Sequence, residues 1–226
     1  ITCRDWSSDV CSSDLPNLEE YCLDQYYGQD FTGFPQELPK LRIIEFSETL
    51  WITTHWPLES FSGLPSSLPS LERMIIIRTS LKNFHGFPKN TPRLEYLDTW
   101  ENEITSLAGI PQVLPTLKQM CLFHNELTDL EGLPEMPTIQ CLNFAENPLR
   151  SLYGLAPEYL TLEIFSLYKC LLTSLEFFPK NLPRLRNLSL YENQLERLEG
   201  IPRELPALEL ITVYGNPIRT LSFLGQ

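Results

Sequence analysis

The sequence predicts an α/β solenoid: a horseshoe-shaped stack of short repeats, with a parallel sheet lining its hollow and 3-10 turns and proline-rich extended segments on its back. Three observations predict it. One frame of apolar residues returns at a nearly constant interval, each frame holds the two-residue alternation of a short strand, and the segments between strands carry prolines too closely spaced for a regular α-helix.

The frame is clearest over Leu185 to Pro202, LRNLSLYENQLERLEGIP. Leu185, Leu188 and Leu190 are followed by Asn193, then by Leu195 and Leu198, and Gly200-Ile201-Pro202 closes the unit. The first position recurs at Leu18, Leu41, Leu71, Leu94, Leu117, Ile139, Leu162 and Leu208, at intervals of 22 or 23 residues apart from one of 30. Leu188 and Leu190 alternate as a strand demands and point inward, while Asn187, Ser189 and Tyr191 point outward. So short a unit cannot bury its own leucines, and the units must therefore stack, one strand each. Nine strands at about 4.8 Å spacing make an arc roughly 40 Å long.

The position after the strand belongs to Asn102, Asn125, Asn147, Asn193 and Asn216, with Cys170 and Thr79 as replacements. There the chain turns sharply and exposes backbone groups that need partners. An amide donates and accepts at once, so stacked asparagines are expected to form a ladder along the solenoid. The return segments GIPQVLPTL (109–117), GIPRELPAL (200–208) and GLPSSLPSL (63–71) each place two prolines four residues apart.

The pattern L-x-x-L-x-L-x-x-N-x-L, so assembled, resembles the leucine-rich-repeat family over nearly everything from Leu18 onward. The N-x-L-x-x-L-x-G-L portion is similar to the subclass seen in a protein phosphatase regulatory subunit. The resemblance implies a horseshoe that binds a partner protein through its concave face without catalysis. It also implies a packing role for Cys170, since the family tolerates cysteine at the asparagine position.

Organisation follows from the frame. Residues 1–15, ITCRDWSSDVCSSDL, do not fit it; Asp5 to Leu15 resembles a translated sequencing adaptor and Ile1 to Arg4 an index region, so the stretch is expected to be an artefactual or disordered tail. Residues 16–226 form the repeat domain of about nine repeats. Its first repeat is degenerate, with Tyr26 where asparagine is expected. The second is seven residues longer around Ser47 to Trp56, a loop in which Trp51 and Trp56 either cover the neighbouring core or bind a partner. The last residues, Ser222 to Gln226, stop in mid-repeat, which predicts a fragment truncated at the C-terminus.

Composition narrows the function. The chain carries a net charge of −12 at pH 7, against nucleic-acid or anionic-membrane binding, both of which need a basic footprint. Outside the tail, Cys22, Cys121, Cys141 and Cys170 are scattered and fit a reducing, cytoplasmic setting. The histidines His55, His85 and His124 fall in different repeats, and no catalytic, phosphate-binding or cofactor motif is visible. Cys121, His124 and Cys141 lie on adjacent strands but lack the close paired spacing of metal sites.

What remains is a surface. Trp100, Phe123, Ala145, Tyr168, Tyr191 and Tyr214 share the outward position after the last strand leucine, five aromatics in six repeats. Such a strip suits partner recognition, and also the mutual stacking that neighbouring strands favour. Tyr96 and Asp98 adjoin Trp100 and complete the expected binding set. Beside it runs a charged column, Glu48, Arg78, Glu101, His124, Glu146, Lys169 and Glu192, expected to be a solvated face first and a site for a partner with a basic patch second. The expected protein is a monomeric interaction scaffold that needs no cofactor. Two alternatives stand: the recognition part of a larger signalling enzyme or ubiquitin ligase, and a receptor ectodomain.

Overall fold

A computed structural model describes residues 15–23, 27–47 and 56–220. These residues form β1 (Glu20–Leu23), β2 (Ile43–Phe46), β3 (Arg73–Ile76), β4 (Tyr96–Asp98), β5 (Gln119–Cys121), β6 (Cys141–Asn143), β7 (Ile164–Ser166), β8 (Asn187–Ser189) and β9 (Leu210–Thr212). All nine strands lie in one parallel sheet in chain order, in the register of the sequence frame: Asp98 pairs with Cys121, Cys121 with Asn143, and Phe165 with Leu188. Leu188, Leu190 and Leu167 are fully buried, while Tyr191 is half-buried on the opposite face, so the inward and outward assignments hold. Toward the N-terminus, phenylalanines take the leucine position before the turn, and Phe31, Phe61 and Phe84 stack from one repeat to the next.

The return segments correct the expected fold class. Among the described residues there is no α-helix and no 3-10 helix, so the observed architecture is a parallel-sheet solenoid of strands and turns rather than an α/β one. Each repeat instead folds back through two isolated turns. In the first, Phe84 to Phe87 and Leu198 to Ile201 are closed by i→i+3 bonds over a left-handed glycine, Gly86 or Gly200. In the second, Leu114 to Leu117 and Leu182 to Leu185 are closed over a proline, Pro115 or Pro183, at the second position. A 3-10 helix needs consecutive i→i+3 bonds. Glycine's left-handed φ ends the first turn, and the two prolines withhold donors before a run can form.

Three side-chain columns join the turns. The asparagines act as expected in satisfying the turned backbone, but chiefly by bridging to main chain rather than to one another. Asn125 Nδ2 donates to the carbonyls of Thr99 in the preceding repeat (2.9 Å) and Leu122 in its own (3.1 Å), while its Oδ1 accepts from Ile104 N–H (3.0 Å). Asn147, Asn193 and Asn216 repeat the arrangement. Cys170 is buried and offers only long contacts from Sγ, 3.6 Å, to the carbonyls of Phe144 and Tyr168. The second column, not foreseen, stands three residues before six of the turn glycines: Asp30, Ser60, Asn83, Ser106, Asp129 and Ser151 each accept from the N–H two residues on. The third is Thr116, Thr138 and Thr161, whose hydroxyls donate to carbonyls of the preceding repeat.

Trp56 resolves half of the question raised by the longer repeat. It occupies the asparagine position of the second repeat, is buried, and bridges to Thr79, so it covers the core. Trp51, Tyr26 and Glu48 lie outside the described residues, as do residues 1–14 and 221–226. Leu15 packs against the core beside Leu18.

Two stability predictions follow from the turns and the amide column. A Cβ on Gly154 would lie 1.9 Å from the Leu130 carbonyl oxygen, whereas one on Gly132 meets only Leu107 Cβ at 3.8 Å, although both glycines are left-handed. Gly132→Ala is expected to cost about 1–2 kcal/mol from backbone strain alone, and Gly154→Ala substantially more, as measured by urea midpoints. Asn193→Ala strands Leu172 N–H and the Leu167 and Leu190 carbonyls, and is expected to cost roughly 3 kcal/mol or more by the same measurement.

Candidate functional site

Period-two alternation leaves two outward columns on the strands, and the residue after the last inward position adds a third. Tyr96 and Asp98 come from β4; Trp100, Phe123, Tyr168, Tyr191 and Tyr214 come from the third column of five repeats. All seven lie on the same face of the sheet.

The third column is a ring ladder. Trp100 and Phe123 stand 5.9 Å apart, Phe123 and Tyr168 6.1 Å, Tyr168 and Tyr191 4.5 Å, and Tyr191 and Tyr214 4.6 Å. The tyrosine rings are near parallel, at 5° and 13°. Ala145 interrupts the aromatics in sequence but not in space, because it is fully covered and Phe123 reaches Tyr168 across it. Burial pushes the Tyr168 phenol up to about 12. Tyr214 ends the ladder with 61% of its surface exposed.

At the other end the face turns polar. Asp98 is only 7% exposed. Its carboxylate accepts from the Tyr96 hydroxyl (2.9 Å) and the Trp100 N–H (3.2 Å), and Cys121 stands beside it in register on β5. Arg73, which the sequence analysis did not single out, lies with its guanidinium 4.3 Å from the Tyr96 ring centroid, and Arg78 lies 5.5 Å from that of Trp100. Burial holds the Asp98 carboxyl above its ordinary value despite these hydrogen bonds, and pushes Cys121 up to about 12 and Cys141 upward as well. Asn143, one position along the same column from Cys121, donates to Cys121 Sγ (3.7 Å) and accepts from Ala145 N–H (3.1 Å). Sequence periodicity would have found both Arg73 and Cys121, since each occupies an outward strand position.

The charged column lies beside the ladder and has a shared backbone geometry. Arg78, Glu101, His124, Glu146, Lys169 and Glu192 all have φ between 50° and 58°. Their N–H groups continue the strand ladder through the turn, as Glu146 N–H does to the Tyr168 carbonyl at 2.9 Å. Signs alternate and pair: Arg78 bonds Glu101, and Glu146 holds both Lys169 (2.9 Å) and His124 (3.0 Å). The hydrogen bonds from Lys169 and His124 hold the Glu146 carboxyl below its ordinary value. Among the described residues, no group of three or more His, Cys, Asp and Glu side chains could hold a metal ion, and no helix is long and apolar enough to cross a membrane.

The buried carboxylate makes a pH prediction. The folded pKa of Asp98 is raised above the ordinary 3.8, so the native state holds the proton longer than the unfolded chain. Stability is therefore lost as pH rises from about 4 through the raised value. Asn143 shows that an asparagine fits this column, so Asp98→Asn is expected to raise the unfolding midpoint at pH 7 and to give little gain at pH 3. A variant less stable than the parent at pH 7 would show that the hydrogen bonds outweigh burial.

No protein-family model matches the chain, and no curated protein matches it. Among solved structures, it is similar to YopM from Yersinia enterocolitica WA-314, a leucine-rich-repeat protein, with 27% sequence identity and a TM-score of 0.56. The likeness covers 90% of this chain and 43% of that one, so the chain spans less than half the length of the protein it matches. Strand order, register and this likeness together make the fold a leucine-rich-repeat-like solenoid.

Proposed function

We propose that the chain is a non-catalytic interaction scaffold that holds a partner protein against the outward face of its sheet, the face expected to line the hollow of the horseshoe. The observation that carries the reading is the continuous ring ladder from Trp100 to Tyr214, five aromatic side chains kept at a surface where the core has no use for them. Rings fixed by their neighbours lose little freedom on binding, and preorganisation of this kind lowers the ordering cost. Tyr96 and Asp98, clasped by Arg73 and Cys121, add a rigid polar anchor at one end. The chain's net charge of −12 suits a partner with a basic patch, although the alternating charged column pairs within the chain from Arg78 to Lys169. The solenoid fold supports a binding role rather than a chemical one by analogy of architecture. A cytoplasmic setting is part of the proposal, supported by the free thiols of Cys121, Cys141 and Cys170.

Comparison of the proteins retained from a cell lysate by the parent, by Trp100→Ala/Tyr168→Ala, and by Leu160→Ser tests the reading. Leu160 is also exposed but lies on a return segment, away from the strip. The strip variant is expected to lose the retained partner while sacrificing about 1–2 kcal/mol of stability from broken ring contacts, and Leu160→Ser is expected to keep it. Equal retention by all three would remove the strip from the function.

A further inference from the structure

From β5 to β9, none of the outward-facing side chains is charged, in a chain whose net charge is −12. The ladder residues Tyr168, Tyr191 and Tyr214 stand beside the small hydroxyl residues Ser166, Ser189 and Thr212. The hydroxyls of Ser166 and Ser189 are half-buried and hold no hydrogen bond among the described residues. Tyr191 and Tyr214 add phenolic hydroxyls to the same ridge, Tyr214 with most of its surface exposed. This half of the face therefore offers uncharged hydrogen-bond donors along an aromatic ridge.

We infer that this half of the face binds an uncharged, proline-rich segment in the polyproline II conformation. The inference rests on the reading of the strip as a partner surface and names the partner's chemistry. Periodicity separates the candidates. Two steps of the tyrosine ladder, 4.5 and 4.6 Å, span about 9 Å, and a polyproline II helix repeats every three residues, about 9.3 Å. An α-helix repeats every ~5.4 Å and slips against the ladder by almost 1 Å per turn. A strand repeats its side chains every ~6.7 Å and could add no backbone ladder here, because β5 to β8 are paired on both sides.

Hydrogen-bond accounting points the same way. A polyproline II segment makes no internal hydrogen bonds, so its carbonyls arrive needing donors, and its prolines bring no N–H that would be left unpaired. An α-helix has already used its carbonyls. A charged segment would lose its hydration against the tyrosine ridge, and the nearest charges, Glu146 and Lys169, are already paired with each other.

The test titrates the full chain with N-acetylated, C-amidated decaproline, followed by tyrosine fluorescence, with a capped alanine/glutamine helical peptide of equal length as comparator. Decaproline is expected to bind saturably, with an affinity insensitive to added salt, and the helical peptide is expected not to. Tyr191→Ala should weaken decaproline about tenfold, and Tyr191→Phe, which keeps the ring and removes the donor, about threefold. Absence of saturable decaproline binding, equal affinity for Tyr191→Ala and parent, or preference for the helical peptide would each overturn the inference. If decaproline fails while the lysate partner still depends on Trp100 and Tyr168, the strip remains a partner surface and only the polyproline assignment falls; if both fail, the strip itself is removed.

Discussion

The rest of the structure depends on satisfying the backbone at the point where each strand leaves the sheet. A parallel sheet built from three- or four-residue strands must reverse within a few residues, inside a packed core, where water cannot reach the freed N–H and C=O groups. One amide side chain meets the need. Asn125 takes up a carbonyl of its own turn, a carbonyl of the turn before and an N–H beyond it, so each repeat with an asparagine here is tied to its predecessor by two bonds and closed on itself by a third. The leucines provide the apolar drive, but leucine packing tolerates slippage, whereas these bonds fix the phase of one turn upon the next.

That phase has consequences at the surface. The residue before the asparagine is forced into a left-handed φ, a conformation that carries a real cost for L side chains, and the six charged or histidine residues there accept it because their N–H groups stay within the inter-repeat ladder. The turn also separates two kinds of surface one residue apart. Aromatic rings remain above the sheet and stack, while charged side chains leave by its edge and pair with alternating sign. Exposed pairs of this type contribute little to stability, but their alternation prevents like charges from facing each other along the column.

Division of labour between the two faces is what makes the solenoid a usable scaffold. Inward columns from Leu97 to Leu188 hold the core, so outward residues are released from packing duties and can be shaped for recognition. The face so released is not uniform: one end is a carboxylate kept protonated beyond its ordinary range by burial under Tyr96 and beside Cys121, and the other is an uncharged ridge of tyrosines. The two ends suit different chemistry on one extended partner.

Sequence by itself determined the number, phase and facing of the strands, because a fixed interval and a two-residue alternation leave only one register in which the leucines of the repeat frame face inward together. It also marked the aromatic strip, the column that holds Asp98 and the asparagines, all of which follow from position within a repeat. Only the tertiary structure decided how the return segments close, as two isolated turns instead of a 3-10 helix, since proline spacing excludes a regular helix without choosing what replaces it. The same is true of Ala145, which breaks the aromatic pattern in the chain yet lets Phe123 meet Tyr168 in space, and of Trp56, which the sequence left between core and surface. These outcomes depend on distances between neighbouring repeats, and a contact between residues some 20 positions apart is set by stacking that no single repeat encodes.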